Sequence, residues 1–168
     1  MRSEAPADAP AVRRVHQRAF APSPAEARLV ELLRSAGKAA VSLVATFDGQ
    51  VAGHILFSSV SIEHAPARLR GLGLAPLGVL PEHQGKGIGS ALVREGLRAC
   101  MSLGCAVVVV LGEPSYYSRF GFARAGDFGL ANEYGADDAF MAMELEKGAL
   151  QQVKGLVTYA AEFAAAGA

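Results

Sequence analysis

The chain has no tryptophan and only two cysteines, Cys100 and Cys105, among its 168 residues. Two cysteines cannot form a disulfide framework, and their spacing does not match a zinc-binding pair. The histidines are scattered along the chain without metal-ligand spacing, at His16, His54, His64 and His83. The sequence therefore predicts neither a disulfide scaffold nor a metal site.

The chain also lacks net charge and any long apolar run. Sixteen basic residues balance sixteen acidic ones, so there is no broad positive surface for DNA, RNA or an anionic membrane. No apolar run reaches about 18 residues, and the N-terminus has charge but no apolar signal segment. With 51% apolar and 19% charged residues, we expect one soluble, cytoplasmic domain over residues 1–168, with neither a nucleic-acid nor a membrane partner.

The first third of the chain predicts two helices and a hairpin. Apolar residues recur at helical spacing after Asp8, and a second helix is expected to start at a capping box in residues 23–26 and to end at Gly37. β-Rich runs at 41–47 and 51–60 flank an Asp-Gly pair. Because this pair suits a turn with positive φ, the two runs are expected to form an antiparallel hairpin.

The middle of the chain alternates between strand and helix patterns. The apolar run 72–80 contains Pro76 and Gly78, which predict a bulged, partly unpaired strand because proline cannot donate to a sheet ladder. An amphipathic helix is expected over 87–103 and a strand buried on both faces over 106–111. Two or three further strands are expected in the tail, around 128–133, 139–146 and 156–159. The order predicts an α/β (α+β) fold with a mixed sheet.

The most informative stretch is the glycine-rich connection between the 72–80 strand and the next helix. Residues 79–90 read Val-Leu-Pro-Glu-His-Gln-Gly-Lys-Gly-Ile-Gly-Ser. Backbone N–H groups and the positive end of the helix dipole converge where a helix begins, and glycine lets an anion approach the backbone closely. Lys86 adds a mobile positive charge. We therefore expect this loop to bind a phosphate or pyrophosphate.

Spacing narrows the kind of phosphate site. A P-loop needs glycine at position 80, where this chain has leucine, and Ser or Thr at position 87, where it has glycine. The dinucleotide fingerprint, counted from position 85, fails because serine occupies its last glycine position. The spacing that fits is Gln-x-x-Gly-x-Gly, formed by Gln84, Gly87 and Gly89.

With this spacing the chain resembles the GNAT superfamily of N-acetyltransferases, whose acyl-CoA pyrophosphate loop has a Gln or Arg followed by these glycines. The strand segment Leu77-Gly78-Val79-x-Pro81 and the later segment Tyr117-x-x-x-Gly121-Phe122 also resemble family motifs. The run 111–122 is most similar to the YhbS-like subgroup of predicted bacterial acetyltransferases. The resemblance is firm over about residues 40–123, and it implies a GNAT-like central sheet with splayed middle strands flanked by helices.

The resemblance implies acetyl-CoA (CoA) as cofactor. The backbone of Leu77, Gly78 and Val79 would pair with the pantetheine arm, and the Leu77 N–H would act as an oxyanion donor. The pyrophosphate would lie on the loop residues Gln84, Gly85, Lys86, Gly87, Ile88, Gly89 and Ser90, with the Gln84 side chain bracing the turn. The implied reaction moves an acetyl group directly to a primary amine of a small molecule or peptide, without an acyl-enzyme. Homodimers are common in the family, although no feature of the sequence demonstrates one.

The resemblance also implies an acid and leaves the base open. Tyr117 matches the family tyrosine proposed to protonate the leaving CoA thiolate, and a phenol with a pKa of about 10 is protonated at neutral pH. Its neighbour Tyr116 falls outside the motif spacing. Many relatives carry a carboxylate base on the preceding strand, but here that position is Gly73. Glu113 is the first candidate for the base, with a water chain as an alternative and two weaker candidates, His54 and Glu82.

Other interpretations of the same residues stay open. The glycine run is also compatible with a plain strand–helix connection, Tyr117 with core packing, and Glu113 with a solvated turn or a helix-start carboxylate. A non-catalytic acyl-CoA-binding module would account for the missing strand carboxylate. Another kind of nucleotide-binding domain is disfavoured by the two failed phosphate-loop spacings.

Overall fold

The computed structural model describes residues 1–168. The helices are α1 (Ala9–Ala19), α2 (Ala25–Ser35), α3 (Ile88–Ser102), α4 (Pro114–Tyr117) and α5 (Glu162–Ala166). The strands are β1 (Arg2–Ser3), β2 (Ala39–Phe47), β3 (Gln50–His64), β4 (Gly71–Val79), β5 (Val107–Leu111), β6 (Ala123–Arg124), β7 (Leu130–Asn132), β8 (Phe140–Glu144) and β9 (Lys154–Thr158). None of the helices combines the length and apolar character that crossing a bilayer requires.

The chain forms two compact units, and it passes from one to the other inside β3, β4 and α3 and again after Ala160. Unit 1 consists of Met1–Ser58, Ala75–Gly96 and Ala161–Ala168. Unit 2 consists of Ser59–Leu74 and Leu97–Ala160.

In unit 1 the strands follow the order β1-β2-β3-β4. The predicted hairpin is confirmed, since β2 and β3 are antiparallel and Phe47 pairs with Gln50 across a two-residue turn. Both turn residues have positive φ, 50° at Asp48 and 77° at Gly49, as two-residue hairpin turns favour. Strand β1, too short to give a sequence pattern, pairs antiparallel with β2.

The helices of unit 1 bury apolar stripes. Helix α1 packs against α2, and α2 packs against α5 and β2. The capping box expected at residues 23–26 forms only in part. The Ser23 hydroxyl accepts a bond from the Ala25 N–H and donates to Glu26, but the Ser23 N–H donates to the Phe20 carbonyl. This backbone turn takes the donor that a full capping box would pair with Glu26.

In unit 2 the sheet is mixed, as predicted. Gly71–Gly73 of β4 pair in parallel with Val107–Val109 of β5, while β8 is antiparallel to both β5 and β6. Strand β9 pairs antiparallel with β3 and in parallel with β7. The valines of β5 are buried, which confirms the strand expected to be covered on both faces. The three predicted tail strands correspond to β7, β8 and β9.

Candidate active site

The glycine-rich loop of unit 1 has the geometry of an open anion cradle. After β4 the chain makes one 3-10 turn (Pro81–His83) and reaches Gly85 and Gly87, with φ of 74° and 80°. The Gly87 carbonyl accepts the Ala91 N–H and so closes the first turn of α3. A Cβ built on Gly85 or Gly87 would meet no atom within 4 Å. Both glycines are therefore required by the turn, and the space above them is open.

Two side chains hold this loop in place. The Gln84 Nε2 donates to the Val79 carbonyl at 3.0 Å, which ties the loop back to the end of β4. The Lys86 ammonium lies 5.5 Å from the centroid of the Phe47 ring, a cation–π distance. Because helix geometry leaves the first N–H groups of α3 without intrahelical acceptors, the loop combines backbone donors with a nearby cation. This arrangement suits a diphosphate.

Unit 1 also contains a buried series of hydrogen-bonded polar side chains, here called the histidine relay. One of them, His16, lies against Gly78 of β4. The His16 Nε2 is 2.7 Å from the His54 Nδ1, and the His54 Nε2 is 2.8 Å from the Ser42 Oγ. The Ser42 hydroxyl and the Arg34 guanidinium both donate to Glu4. Both imidazoles are fully buried. The relay thus links α1, α2, β2, β3 and the segment after β1.

The relay has defined charge states. Burial, followed by the neighbouring His54, lowers the pKa of His16 to about 3, and burial also lowers the pKa of His54. Burial would raise the pKa of Glu4, but hydrogen bonds from His54 and Ser42 outweigh it and lower that pKa to about 2. At neutral pH the relay therefore consists of two neutral imidazoles and one carboxylate.

These charge states predict a pH dependence of stability. Between pH 6.5 and 3 the unfolded chain binds a proton at His16 that the folded chain does not bind. The free energy of unfolding should therefore fall by up to about 1.4 kcal/mol per pH unit as the pH drops through this window. Glu4 acts in the same direction between its ordinary pKa of 4.5 and about 2. Urea titrations at several pH values check this, and the His16→Gln variant should show a shallower slope. Equal slopes in the two proteins would contradict the assignment.

In unit 2 Tyr117 is held in an aromatic cluster. Its ring packs edge-on against Tyr116 and Phe122, with centroids 5.0 and 5.7 Å apart. Only 9% of the residue is exposed, and burial raises the pKa of its phenol above the ordinary value. A Cβ built on Gly112 would lie 2.3 Å from the Tyr117 Cε2. Glycine is thus required at position 112, because the ring lies directly against the backbone.

This contact predicts the effect of adding one methyl group. The Gly112→Ala variant should push the Tyr117 ring out of its packed position and lower the melting temperature by several degrees, since overpacking typically costs about 1–3 kcal/mol. Gly126→Ala is a comparison with neither conflict nor backbone strain, because a Cβ there meets only the Arg124 Nε at 3.9 Å and the residue has no positive φ. Differential scanning calorimetry of both variants checks this. An unshifted melting temperature for Gly112→Ala would show that the ring is not fixed against this glycine.

Glu113 and Glu82 lie in ordinary structural settings. The Glu113 Oε1 accepts the Ser115 N–H at 3.4 Å and the Ser115 hydroxyl at 3.0 Å, so its carboxylate caps α4. The Glu82 carboxylate is half exposed and forms a 2.6 Å ion pair with Arg18. His54, the remaining base candidate, is an internal member of the histidine relay.

Comparison with known proteins identifies the family. Residues 1–125 match the family model described as an acetyltransferase (GNAT) domain. The chain belongs to the GNAT family. The uncharacterized N-acetyltransferase YhbS of Escherichia coli is 42% identical over 165 residues, covering 97% of each chain. The uncharacterized N-acetyltransferase YjhQ of the same species is 39% identical over 130 residues, covering 76% of this chain and 71% of that one.

Solved GNAT structures share the fold. The crystal structure of YhbS from Escherichia coli in complex with CoA has a TM-score of 0.89 and 40% identity, and covers 97% of this chain and 90% of that chain. A GNAT family acetyltransferase from Brucella melitensis in complex with acetyl-CoA has a TM-score of 0.79 and 39% identity, and covers 96% of each chain. These matches confirm the sequence resemblance, the mixed α/β fold and the assignment as an N-acetyltransferase.

The structure explains why this GNAT chain has no carboxylate at Gly73. A Cβ there would lie 2.7 Å from the Tyr159 ring and 3.0 Å from the Val60 side chain. Because ring and side chain fill the space, a glutamate at this position would have no room. The proton acceptor for the amine must therefore come from another part of the chain or from water.

Proposed function

We propose that this protein transfers the acetyl group of acetyl-CoA to a primary amine of a small molecule or peptide by direct attack of the amine. GNAT membership and the CoA and acetyl-CoA complexes of the YhbS and Brucella relatives support acetyl-CoA as the donor. The observation that carries the proposal is the open turn at Gly85 and Gly87, tied by Gln84 to the end of β4.

The residues proposed to bind the donor lie on consecutive parts of unit 1. Residues 84–90 would hold the diphosphate through backbone N–H groups, with the Lys86 ammonium neutralising part of its charge. The backbone of residues 77–79 would pair with the pantetheine amides as an added strand does. The Leu77 N–H would donate to the acetyl oxygen as negative charge develops there, an interaction typically worth roughly 10²–10³ in rate.

Direct attack fits the state of both cysteines. Cys100 and Cys105 are buried, and burial raises the pKa of Cys100 to about 12 and also raises that of Cys105. The Cys105 thiol donates to the Val107 carbonyl at 3.2 Å. Since the thiolate is the reactive form of cysteine, neither residue is suited to carry an acetyl group.

Tyr117 is the proposed acid for the departing thiolate. It stands at the family tyrosine position, and its raised pKa keeps the phenol protonated through the neutral range. Glu113, the first base candidate from the sequence, remains a candidate whose carboxylate also caps α4. Replacing it by glutamine, which keeps an oxygen for the cap, tests its role as a base through kcat.

Thiol release from acetyl-CoA tests the function. The panel contains butylamine, spermidine, alaninamide, Nα-acetyl-lysine amide and aniline, so that it covers alkyl, α-amino and weakly basic nitrogens. We expect amine-dependent thiol release, with an equal amount of acetylated amine detected by mass spectrometry. CoA binding without thiol release for any amine would instead favour the non-catalytic acyl-CoA-binding module.

A further inference from the structure

The hydrogen-bond pattern of the histidine relay fixes its direction. The Glu4 carboxylate can only accept, so the Ser42 hydroxyl proton points to it and leaves the Ser42 oxygen to accept from His54. The His54 Nε2 therefore carries hydrogen, and in the neutral ring its Nδ1 is a bare acceptor. This Nδ1 takes the hydrogen of the His16 Nε2 at 2.7 Å. In neutral His16, the Nδ1 is then left with an unprotonated lone pair.

That lone pair has no partner and lies against β4. The His16 Nδ1 is buried without any hydrogen-bond partner, although buried polar atoms are normally paired. A Cβ built on Gly78 would lie 2.8 Å from the His16 Nδ1. The ring can occupy this place only because residue 78 is glycine. The unpaired acceptor thus lies against Gly78, the residue that follows Leu77, whose N–H is proposed to donate to the acetyl oxygen.

We propose that the His16 Nδ1 is the base that takes the proton of the attacking amine, and that His54, Ser42 and Glu4 are positioning residues behind it. The inference rests on the proposed function and adds the proton acceptor that the sequence left open. The arrangement resembles a catalytic triad, in which a carboxylate fixes the tautomer of an imidazole and stabilises its positive charge. Here a hydroxyl and a second imidazole lie between the carboxylate and the working nitrogen.

The proposed step forms one bond to nitrogen and breaks one bond to sulfur. The amine nitrogen bonds to the acetyl carbon, the C–S bond of the thioester breaks, and the proton lost by nitrogen moves to the His16 Nδ1. The leaving thiolate takes a proton from Tyr117, its proposed acid. After the products leave, His16 gives its proton to water and Tyr117 regains one, so that the net products are an acetamide and CoA thiol.

The relay also supplies a place for the positive charge. When His16 receives the amine proton on Nδ1, it can pass its Nε2 proton to the His54 Nδ1. The cation then lies on His54, whose Nε2 is 3.5 Å from a Glu4 oxygen. An opposite charge at this distance offsets part of the burial that lowers the pKa of His54, so the cation costs less there than it would without Glu4. Against the effect of burial, hydrogen bonds from His54 and Ser42, with a smaller contribution from the charge of Arg34, lower the pKa of Glu4 and keep its carboxylate ionised.

The kinetic test uses the full-length His16→Gln variant with acetyl-CoA and each panel amine that the wild type acetylates. We expect kcat to fall about 10²- to 10⁴-fold, the usual range for loss of a general base. The KM for acetyl-CoA and the calorimetric affinity for CoA should stay unchanged. The matched control is His64→Gln, the same change at an exposed histidine, which should behave as wild type.

Ring-nitrogen NMR of the wild-type chain tests the proposal without any substitution or amine. We expect an N–H signal for the His16 Nε2 and a bare-nitrogen signal for its Nδ1 at pH 7. In Glu4→Gln, whose amide can donate to Ser42, the relay should lose this single tautomer, and kcat should fall with little change in KM. If the relay had only a structural role, the tautomer of His16 could change in Glu4→Gln without any change in kcat.

Each adverse result has a distinct meaning. A protonated His16 Nδ1 at pH 7, or wild-type kcat in a folded His16→Gln variant, would overturn the relay as the base. Loss of kcat in Glu113→Gln together with wild-type kcat in His16→Gln would assign the base to Glu113 and leave the acetyltransferase function intact. Absence of thiol release from the wild type with every amine would instead overturn the proposed function.

Discussion

The Gly87→Glu variant is expected to lose CoA affinity by at least about 100-fold, or about 2.7 kcal/mol. Its carboxylate would enter the open space above the turn, where the diphosphate should bind, and would repel it. The φ of 80° adds backbone strain of about 1–3 kcal/mol for a residue with a side chain. Isothermal titration calorimetry with CoA measures the loss directly.

Two further variants separate charge from strain. Gly37→Glu makes the same change at another open glycine with positive φ, 68°, so it should keep wild-type affinity despite similar strain. Gly89→Glu places a carboxylate in the first turn of α3, where it should stabilise the helix yet still abolish CoA binding. Wild-type affinity in Gly87→Glu and Gly89→Glu would show that the diphosphate binds elsewhere.

Local chemistry made the hairpin and the glycine-rich loop predictable. An Asp-Gly pair or a run of glycines before an amphipathic helix restricts the backbone within a few residues, whatever the rest of the chain does. The loop motif therefore predicts a phosphate site from the sequence alone. The expected capping box at residues 23–26 failed in part because a neighbouring backbone carbonyl, that of Phe20, competes for the same N–H.

The histidine relay could not be predicted in the same way. His16 and His54 are 38 residues apart in sequence, and Glu4 lies in a segment with no strong pattern. A partial signal was present, since His16 follows Val12 by four residues and so shares the buried face of α1. What the sequence lacks is the pairing between strands and helices that brings these side chains together. The same holds for Gly73, whose missing side chain is explained by Tyr159, far along the chain.

The Tyr117→Phe variant should lower kcat by about 10²- to 10⁴-fold, the range typical of a lost general acid, while CoA affinity stays unchanged. Phenylalanine keeps the ring against Gly112 and Phe122, so only the hydroxyl is removed. Steady-state thiol release together with calorimetry separates the two effects. Tyr116→Phe removes a hydroxyl from the adjacent tyrosine and should leave kcat at the wild-type value.

The direction in which the Tyr117 pKa is shifted bears on the kcat expected for Tyr117→Phe. Burial raises this pKa, which makes the phenol a weak acid in the resting protein but also keeps it fully protonated when a thiolate forms nearby. An alkyl thiol such as cysteine has a pKa of about 8.5, so its thiolate is a weaker base than this phenolate. The transfer therefore depends on a donor that is still protonated and held in place when the C–S bond breaks, and a buried phenol meets this condition. If Tyr117→Phe keeps full turnover and Tyr116→Phe loses it, the proton comes from the neighbouring ring. If both keep full turnover, the thiolate leaves without help from either tyrosine, and Tyr117 serves only to pack the aromatic cluster against Gly112.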